Sequence, residues 1–323
     1  MKYIAQVVKD KERNKIKNKR VVITGGLGFI GSHIVEELYT ENEVVIIDNE
    51  STGNRRNIEH LDTKNIEIIF ESINSVDLKK LFDGCDYVLH QAALPSVPRS
   101  IKDPVKSNQA NINGTLNVLE AARNSDINKV VIASSSSVYG DTPKLPKVEI
   151  MPINPKSPYA VTKATCEMYC KVFKEIYGLQ TVALRYFNVF GPRQDPNSQY
   201  AAVIPKFVTA INNGESPTVY GDGTQSRDFT FVKNVVSANI KACESKETGV
   251  FNIACGRRII LNDLISMINE IFGKNIEPKY VDSRPGDIKH SLADINAAKS
   301  FGYNPKDEFM RELEETIEFF RGN

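Results

Sequence analysis

Tyr159 and Lys163 are the two side chains of this sequence whose types and spacing most clearly suggest chemistry. They are four residues apart in S-P-Y-A-V-T-K, so they share one face of a predicted helix that Ser157 and Pro158 are suited to begin. A free phenol has a pKa of about 10 and is a poor proton acceptor at neutral pH. A neighbouring ammonium stabilises the phenolate, so the pair has the composition of a general base. Taken alone, the spacing also suits two ordinary surface residues.

A run of serines, A-S-S-S-S-V-Y-G at 133–140, follows a predicted strand. The carboxyl ends of strands in open α/β sheets line the ligand crevice. A serine hydroxyl at such an end could hold a substrate hydroxyl beside Tyr159. The alternative interpretation is a flexible turn with no part in chemistry, but the run and the Tyr–Lys pair together favour an active site.

A glycine-rich run, T-G-G-L-G-F-I-G, follows the first predicted strand, with Gly25, Gly28 and Gly31 three residues apart. Glycines at these positions let backbone N–H groups approach a pyrophosphate at a helix N-terminus. The second predicted strand ends at Asp48, whose carboxylate can accept hydrogen bonds from the adenosine ribose and would repel a 2′-phosphate. The pattern therefore predicts a dinucleotide site that favours NAD over NADP. A structural turn with a capping Asp is the alternative.

Short β-branched runs alternate with amphipathic stretches in the first half of the chain. The runs lie at 21–24, 44–48, 66–70, 87–90, 130–134 and 181–186, and helical patterns lie near 30–40, 75–83, 104–124 and 158–177. This alternation predicts an α/β fold with a doubly wound parallel sheet, the Rossmann arrangement, over residues 20–186. Segments near 233–260 are expected to return to it, with the apolar run 250–254 as a strand. After residue 190 the chain becomes richer in Pro, Gly, Asn and Gln, and its apolar runs become shorter. Residues 187–323 are therefore expected to form mainly a smaller mixed α/β substrate domain.

The amino-acid composition argues against nucleic-acid-binding, membrane-spanning and secreted proteins. The chain has 323 residues, with 41 Lys and Arg against 40 Asp and Glu, a net charge of +1 that argues against a general nucleic-acid binder. No apolar run approaches the roughly 18 residues of a membrane span, and the first residues lack the apolar core of a secretory signal. Residues 1–19 form a basic extension. It could be an arm for nucleic acid or membrane, but we favour a solvated helix that packs Ile4 and Val8 on the body.

Cysteine and histidine usage predicts no metal site and a cytoplasmic protein with reduced thiols. Cys166 and Cys170 share a predicted helix without a nearby His to complete a metal site. The other cysteines are scattered, and the histidines form no spaced cluster: Cys85, Cys243 and Cys255; His33, His60, His90 and His290.

Several motifs together resemble the extended short-chain dehydrogenase/reductase family, and within it the UDP-hexose 4-epimerases. They are T-G-G-x-G-F-I-G-S-H, H-Q-A-A, S-S-S-S-V-Y-G, S-P-Y-A-V-T-K and R-Y-F-N-V-F-G-P-R, and the match extends from about residue 20 to the C-terminus. The resemblance implies an active centre of Ser135, Tyr159 and Lys163. It implies that bound NAD takes a hydride from carbon 4 of the sugar while Tyr159 removes the 4-hydroxyl proton. The 4-keto sugar then turns and accepts the hydride on its other face.

The resemblance also implies the residues of two binding sites. Those expected around the cofactor are Gly25, Gly28, Phe29, Ile30, Gly31, Asp48, Asn49, Ser72, Ile73, Gln91, Ala92, Ala93, Asn111, Ser134, Tyr159, Lys163 and Tyr186. Those expected around the UDP-sugar are Ser96, Ser135, Ser136, Ser137, Asn188, Ala202, Val203, Tyr220, Arg227, Arg284, Asp287 and Ser291. Among them, Arg227 and Arg284 would clamp the diphosphate. Ser291 would lie beside carbon 2 of the sugar, where a small residue leaves room for an N-acetyl group.

One departure from the family pattern concerns the adenine. Glu71, Ser72 and Ile73 stand where the family usually has Gly-Asp-Ile, and a serine hydroxyl bonds the adenine amino group more weakly than a carboxylate does.

Other readings of the sequence stay open. Dehydratases of the same scaffold typically carry Thr-Asp-Glu at the positions of Ser135, Ser136 and Ser137, and decarboxylases a Glu at that of Ser137. A non-catalytic NAD-binding module is the remaining alternative.

The resemblance also implies a homodimer. The helices near 104–124 and 158–177 resemble those that pair as a four-helix bundle in homodimers of the family. The residues expected in that seam are Ala121, Ala122, Met168 and Val172.

Overall fold

A computed structural model describes residues 16–195, 202–283 and 288–322 of the chain. The helix expected at the N-terminus, with Ile4 and Val8, therefore lies outside the described residues. Within them, no helix is both long and apolar enough to cross a membrane. The same residues contain no group of three or more His, Cys, Asp or Glu side chains that could hold a metal ion.

The β-strands follow the β-branched runs of the sequence closely. In chain order they are β1 (Arg20–Thr24), β2 (Glu43–Ile47), β3 (Ile66–Ile69), β4 (Tyr87–His90), β5 (Lys129–Ser135), β6 (Thr181–Tyr186), β7 (Val189–Phe190), β8 (Thr218–Tyr220), β9 (Ser226–Arg227), β10 (Thr230–Phe231), β11 (Gly249–Ile253), β12 (Ile259–Ile260) and β13 (Lys279–Val281).

The α-helices include those that the sequence pattern predicts near 30–40 and 158–177. In chain order they are α1 (Phe29–Leu38), α2 (Leu78–Phe82), α3 (Val97–Lys102), α4 (Pro104–Asn108), α5 (Gly114–Arg123), α6 (Pro158–Tyr177), α7 (Val203–Asn212), α8 (Val232–Glu244), α9 (Leu261–Phe272) and α10 (Phe309–Gly322).

Seven strands form one parallel sheet in the order β11-β6-β5-β4-β1-β2-β3. Alternate residues of β1 enter different cores: Val21 and Ile23 pack with α1 and α8, whereas Val22 packs with α2, α5 and α6. Because both faces are covered by helices, the strands read as continuous apolar runs. The doubly wound α/β fold that the sequence predicts is confirmed.

The second half of the chain builds its own apolar core beside this sheet. Helices α7, α9 and α10 pack around a group of aromatic rings that includes Phe190, Phe231 and Phe309. Two short strand pairs, β7 with β10 and β8 with β13, are parallel, and β9 with β12 is antiparallel. The structure places the run 250–254 in the main sheet, where β11 pairs with β6.

The helix expected over 104–124 is interrupted by one π-helical turn, Gln109–Asn113, between α4 and α5. Asn111 in this turn is buried, and its Oδ1 accepts the Leu94 backbone N–H at 2.7 Å. Gly114 follows, and a Cβ there would meet the Ile73 side chain at 2.5 Å. The wider turn and the glycine let the helix approach its neighbours closely, a feature that hydrophobic periodicity does not reveal.

Two of the residues expected in a dimer seam lie inside the chain's own core. Ala121 and Ala122 are buried against the sheet together with Val118 and Leu119. Their placement in the seam was wrong, because the apolar face of α5 covers the sheet. Met168 and Val172 of α6, in contrast, are 54% and 40% exposed.

Candidate active site

A cleft opens at the carboxyl ends of β1 and β4, the neighbours at which the order of strands along the sheet reverses. Ligands of doubly wound proteins bind at this point. Every residue expected around the cofactor lines the cleft except Asn111, which lies behind Leu94 in its wall. Residues not foreseen also line it, namely Ile47, Ser51, Thr52, Glu71, Asn74, Leu94, Pro95, Ala110 and Ala133.

The floor of the cleft requires glycine at two positions. Gly25 has a φ of +71°, and a Cβ there would lie 2.7 Å from the Ala92 backbone nitrogen. A Cβ on Gly31, in the first turn of α1, would overlap the Gly25 carbonyl oxygen. The turn and the helix therefore pack backbone against backbone and leave the N-terminus of α1 open to a ligand.

Asp48 lies at the end of β2 on the far side of the cleft. Its Oδ2 accepts the Leu27 N–H at 3.0 Å and its Oδ1 accepts the Glu50 N–H at 2.8 Å. Burial raises the pKa of Asp48, and the two backbone bonds act in the opposite direction. The carboxylate is thus fixed in place, and each oxygen keeps acceptor capacity toward the cleft. Ser72 lies beyond it, with its Oγ accepting the Asn74 N–H.

Helix α6 brings Tyr159 and Lys163 into the same cleft. The Ser157 hydroxyl caps the helix by accepting the Ala160 N–H at 3.2 Å, and the buried Ser100 hydroxyl accepts the Tyr159 N–H at 3.0 Å. Lys163 is nearly buried and donates to the carbonyl of Ala133 at 2.7 Å. Its Nζ lies 5.9 Å from the centre of the Tyr159 ring. The ammonium is therefore held on the side of the cleft where Tyr159 lies.

The serine run lies at the end of β5, and of its four serines only Ser134 lines the cleft. Ser135 caps a short 3-10 turn, in which its Oγ accepts the Ser137 N–H at 3.2 Å. Ser136 follows it in the turn. The Ser137 hydroxyl oxygen is buried and has no hydrogen-bond partner among the described residues. None of the three positions offers a carboxylate for acid or base chemistry.

Ser134 connects the serine run to a buried ion pair that sequence reasoning missed. Its hydroxyl donates to Glu167 at 2.5 Å, and Arg185 donates two hydrogen bonds to the same carboxylate at 2.8 and 2.7 Å. Glu167 follows Lys163 by four residues, as Lys163 follows Tyr159, so one face of α6 carries all three. That spacing was the available signal.

Three of the residues expected around a sugar nucleotide lie close together in the second half of the chain: Asn188, Arg227 and Ser291. Asn188 donates to the Asp228 carbonyl at 3.0 Å and to the Ser291 hydroxyl at 3.4 Å. Arg227 donates to the Lys289 carbonyl at 3.2 Å. The other expected residues lie elsewhere in the fold: Ser96 caps α3, Ala202 and Val203 begin α7, and Tyr220 ends β8. Arg284 and Asp287 lie outside the described residues.

Comparison with known proteins identifies the family of this arrangement. Residues 21–254 match the NAD dependent epimerase/dehydratase family. The chain belongs to this family. A UDP-glucose 4-epimerase of Mycolicibacterium smegmatis is 35% identical, over 94% of this chain and 98% of that protein.

Two solved structures of epimerases share the fold. One is a UDP-N-acetylglucosamine 4-epimerase of Methanobrevibacter ruminantium in complex with UDP-N-acetylmuramic acid, 51% identical with a TM-score of 0.94, covering 95% of this chain and 99% of that one. The other is a UDP-glucose 4-epimerase of Thermus thermophilus in complex with NAD, 36% identical with a TM-score of 0.85, covering 94% and 99%.

NAD is the cofactor of this epimerase/dehydratase family member, and its cleft fits that group. The packed glycine turn leaves the α1 N-terminus accessible to a pyrophosphate. The Asp48 carboxylate is suited to ribose hydroxyls and unsuited to a 2′-phosphate. Tyr159 and Lys163 line the same cleft, so the reactive end of the cofactor and a proton acceptor would share one space.

Proposed function

We propose that this protein catalyses the NAD-dependent, reversible epimerisation of carbon 4 of a UDP-hexose through a transient 4-keto sugar. The observation that carries the proposal is that Tyr159, Lys163 and the end of β5 meet in the same cleft as the glycine turn. A serine at each of positions 135–137 supports epimerisation over dehydration or decarboxylation, since those reactions need a carboxylic acid or base there.

The chain's own residues would perform the proton chemistry. The Tyr159 phenolate accepts the proton of the 4-hydroxyl group, and the Lys163 ammonium stabilises the phenolate. Ser135, which ends β5, orients that hydroxyl. NAD, held by the α1 N-terminus and by Asp48, supplies reversible hydride transfer when bound. The proton returns from Tyr159 to oxygen 4 as the hydride returns to carbon 4, so no net oxidation results.

The test of this proposal is direct observation of the product. Purified protein is incubated with UDP-glucose and separately with UDP-N-acetylglucosamine, and the anomeric protons are followed by NMR. We expect the signals of the matching galacto sugars to grow to a constant ratio. A product that has lost water or carbon dioxide would contradict the proposal, and so would an unchanged spectrum from protein that contains NAD.

We propose that the substrates include UDP-N-acetylglucosamine and UDP-N-acetylgalactosamine beside UDP-glucose and UDP-galactose. Ser291 is small and half-buried, and its hydroxyl is 3.4 Å from the Asn188 amide, which supports a pocket with room and polar partners for an acetamide. The relative from Methanobrevibacter ruminantium is named for UDP-N-acetylglucosamine. Replacing Ser291 by Tyr should abolish turnover of the N-acetylated sugars and spare UDP-galactose. Retained N-acetyl turnover would place the selective residue elsewhere.

We propose that the active form is a homodimer joined through a four-helix bundle. One face of α6 and the neighbouring α3–α4 segment expose apolar side chains that the described part of the chain leaves uncovered: Met168, Val172, Ile176, Ile101 and Val105. Sedimentation at micromolar protein should show a dimer. Met168→Glu/Ile176→Glu should give monomer, whereas Lys171→Glu on the same helix should not. A wild-type monomer would refute the proposed assembly.

The proposed cellular location is the cytoplasm. All five cysteines are free, and burial raises the pKa of the Cys85 thiol to about 11. Thiols kept reduced and protonated suit that compartment.

A further inference from the structure

Asp228 is a fully buried carboxylate in the second half of the chain, away from the cofactor cleft. Its Oδ1 accepts the Cys255 N–H at 3.0 Å, and its Oδ2 accepts the N–H groups of Gly256 at 3.2 Å and Ala293 at 3.1 Å. The donors belong to two segments far apart in sequence: the turn after β11 and the stretch that contains Ser291. One side chain therefore joins both segments to β9.

The backbone around Asp228 connects to the residues proposed to bind the sugar nucleotide. Its carbonyl oxygen accepts the Asn188 amide at 3.0 Å, and Arg227 precedes it in the chain. Ser291 is two residues before Ala293, and its N–H donates to the Ser226 carbonyl at 3.0 Å. Asn188, Arg227 and Ser291 thus come from three chain segments, and each is linked to Asp228 by one hydrogen bond or by one or two residues of backbone.

We infer that Asp228 is a positioning residue that sets the mutual placement of Asn188, Arg227 and Ser291, and so the affinity and selectivity of the nucleotide-sugar site. The inference rests on the proposed function. It assigns Asp228 no contact with substrate, because its carboxylate is fully buried and occupied by backbone donors. NAD binding should be independent of it, since Asp228 does not line that cleft.

The three-donor arrangement needs a carboxylate. Burial raises the pKa of Asp228 to about 6, while the surrounding backbone N–H groups lower it, so the group is ionised at pH 8. An asparagine has the same shape but replaces one acceptor oxygen by an NH₂ group. Oδ2 accepts two of the three donors, so an amide in either orientation leaves at least one backbone N–H unsatisfied. The segment that loses its bond will move.

The matched control is Glu312, a buried carboxylate of α10 whose charge acts on Cys255 and Arg257 in the turn after β11. Among the described residues, its side chain forms no hydrogen bond with Asp228, Asn188 or Ser291, so it shares the surroundings of Asp228 without joining the segments. Asp228→Asn and Glu312→Gln make the same chemical change in the same half of the chain. For both variants and the wild type, we would measure melting temperature, bound NAD, kcat and KM for UDP-glucose at pH 8, and the Kd of UDP by calorimetry.

For Asp228→Asn we expect KM and the Kd of UDP to rise about tenfold, with kcat within about threefold of wild type and bound NAD unchanged. The ratio of kcat/KM for UDP-N-acetylglucosamine to that for UDP-glucose should also change. Glu312→Gln should leave all of these values near wild type. If Asp228→Asn does not fold, Asp228→Ser, in which water can take the place of one oxygen, is measured in the same way.

A fall in melting temperature with unchanged KM, UDP affinity and sugar preference would show a purely structural role and overturn the inference. An equal rise of KM in Glu312→Gln would overturn it too, since the effect would then not be specific to Asp228. Wild-type protein is assayed first. Failure of the wild type to bind UDP and to epimerise UDP-glucose would refute the proposed function itself, and the two failures are thereby distinguished.

Discussion

The ion pair of Glu167 and Arg185 allows a quantitative prediction about the base of the active site. The side chains are 6% and 4% exposed and form two parallel hydrogen bonds of 2.8 and 2.7 Å. Burial lowers the pKa of the Arg185 guanidinium, but the hydrogen bond and charge of Glu167 outweigh it, and the pKa stands above its usual value. The Arg185 guanidinium is therefore charged in the folded protein.

Replacing Glu167 by Leu leaves a buried guanidinium without its counter-charge. Loss of one partner of a buried ion pair typically costs about 3–5 kcal/mol, because the desolvation of the remaining charge is no longer offset. We expect Glu167→Leu and Arg185→Met each to lose stability in that range. The double variant should lose less than either single variant, since no uncompensated charge remains. Glu167→Leu should also lower kcat, because Ser134 loses the acceptor that fixes it beside Ser135.

Urea unfolding followed by circular dichroism at pH 8, with NAD in excess, gives the free energies of this cycle. The exposed pair Lys171 and Glu175 on the same helix is the control, and its removal should change stability by less than about 1 kcal/mol. A loss below about 1 kcal/mol for Glu167→Leu, or a double variant equal to the sum of the singles, would refute the argument from buried charge.

Further predictions concern the base, the cofactor and acid stability. Tyr159→Phe should lower turnover by about 10²–10⁴-fold with bound NAD unchanged, measured by NMR and absorbance; normal turnover would exclude it as the base. Gly31→Ala, whose Cβ would overlap a backbone carbonyl oxygen, should abolish retention of NAD through purification, and protein that keeps its full NAD content would contradict this. Burial lowers the pKa of His33 to about 4 and that of His90 to about 3. Both folded values lie below the unfolded value of about 6.5, so their stabilisation is complete above pH 6.5 and is lost as the pH falls through about 4 and 3. The melting temperature should fall over that range, and less in His90→Gln than in His60→Gln, which alters an exposed histidine.

The sequence could predict the sheet and the glycine turn because each has a strong local signal. The sequences of β1, β4 and β5 do not alternate between apolar and polar residues. Such continuous β-branched runs indicate strands that are covered on both faces. Gly25 and Gly31 are required by backbone contacts within one short turn, so their spacing carries the information. Tyr159 and Lys163 are likewise set by the geometry of a single helix.

The unforeseen features depend on contacts between distant segments. Glu167 was detectable only as a third residue at four-residue spacing, and nothing in the sequence pairs it with Arg185. Asp228 has no motif that distinguishes it from a surface acid until Cys255 and Ala293 are brought beside it. The placement of Ala121 failed for the same reason, since an amphipathic pattern identifies an apolar face without indicating what covers it.

The proposed reaction also explains why the two buried carboxylates should have separable effects. The 4-keto sugar must rotate within the site to present its other face. The protein therefore cannot hold the sugar tightly in one orientation without slowing that rotation. Binding energy must therefore come mainly from the nucleotide, which binds on the side where Asp228 positions Asn188, Arg227 and Ser291. A substitution of Asp228 should therefore change KM. Proton transfer needs the sugar hydroxyl and the Tyr159 phenol at a fixed separation, on the side where Glu167 joins α6 to β5. A substitution of Glu167 should therefore change kcat. Combining Asp228→Asn with Glu167→Gln, which keeps an acceptor for Ser134, should therefore give nearly additive losses in kcat/KM, whereas strong coupling between the two substitutions would mean that one network serves both halves of the site.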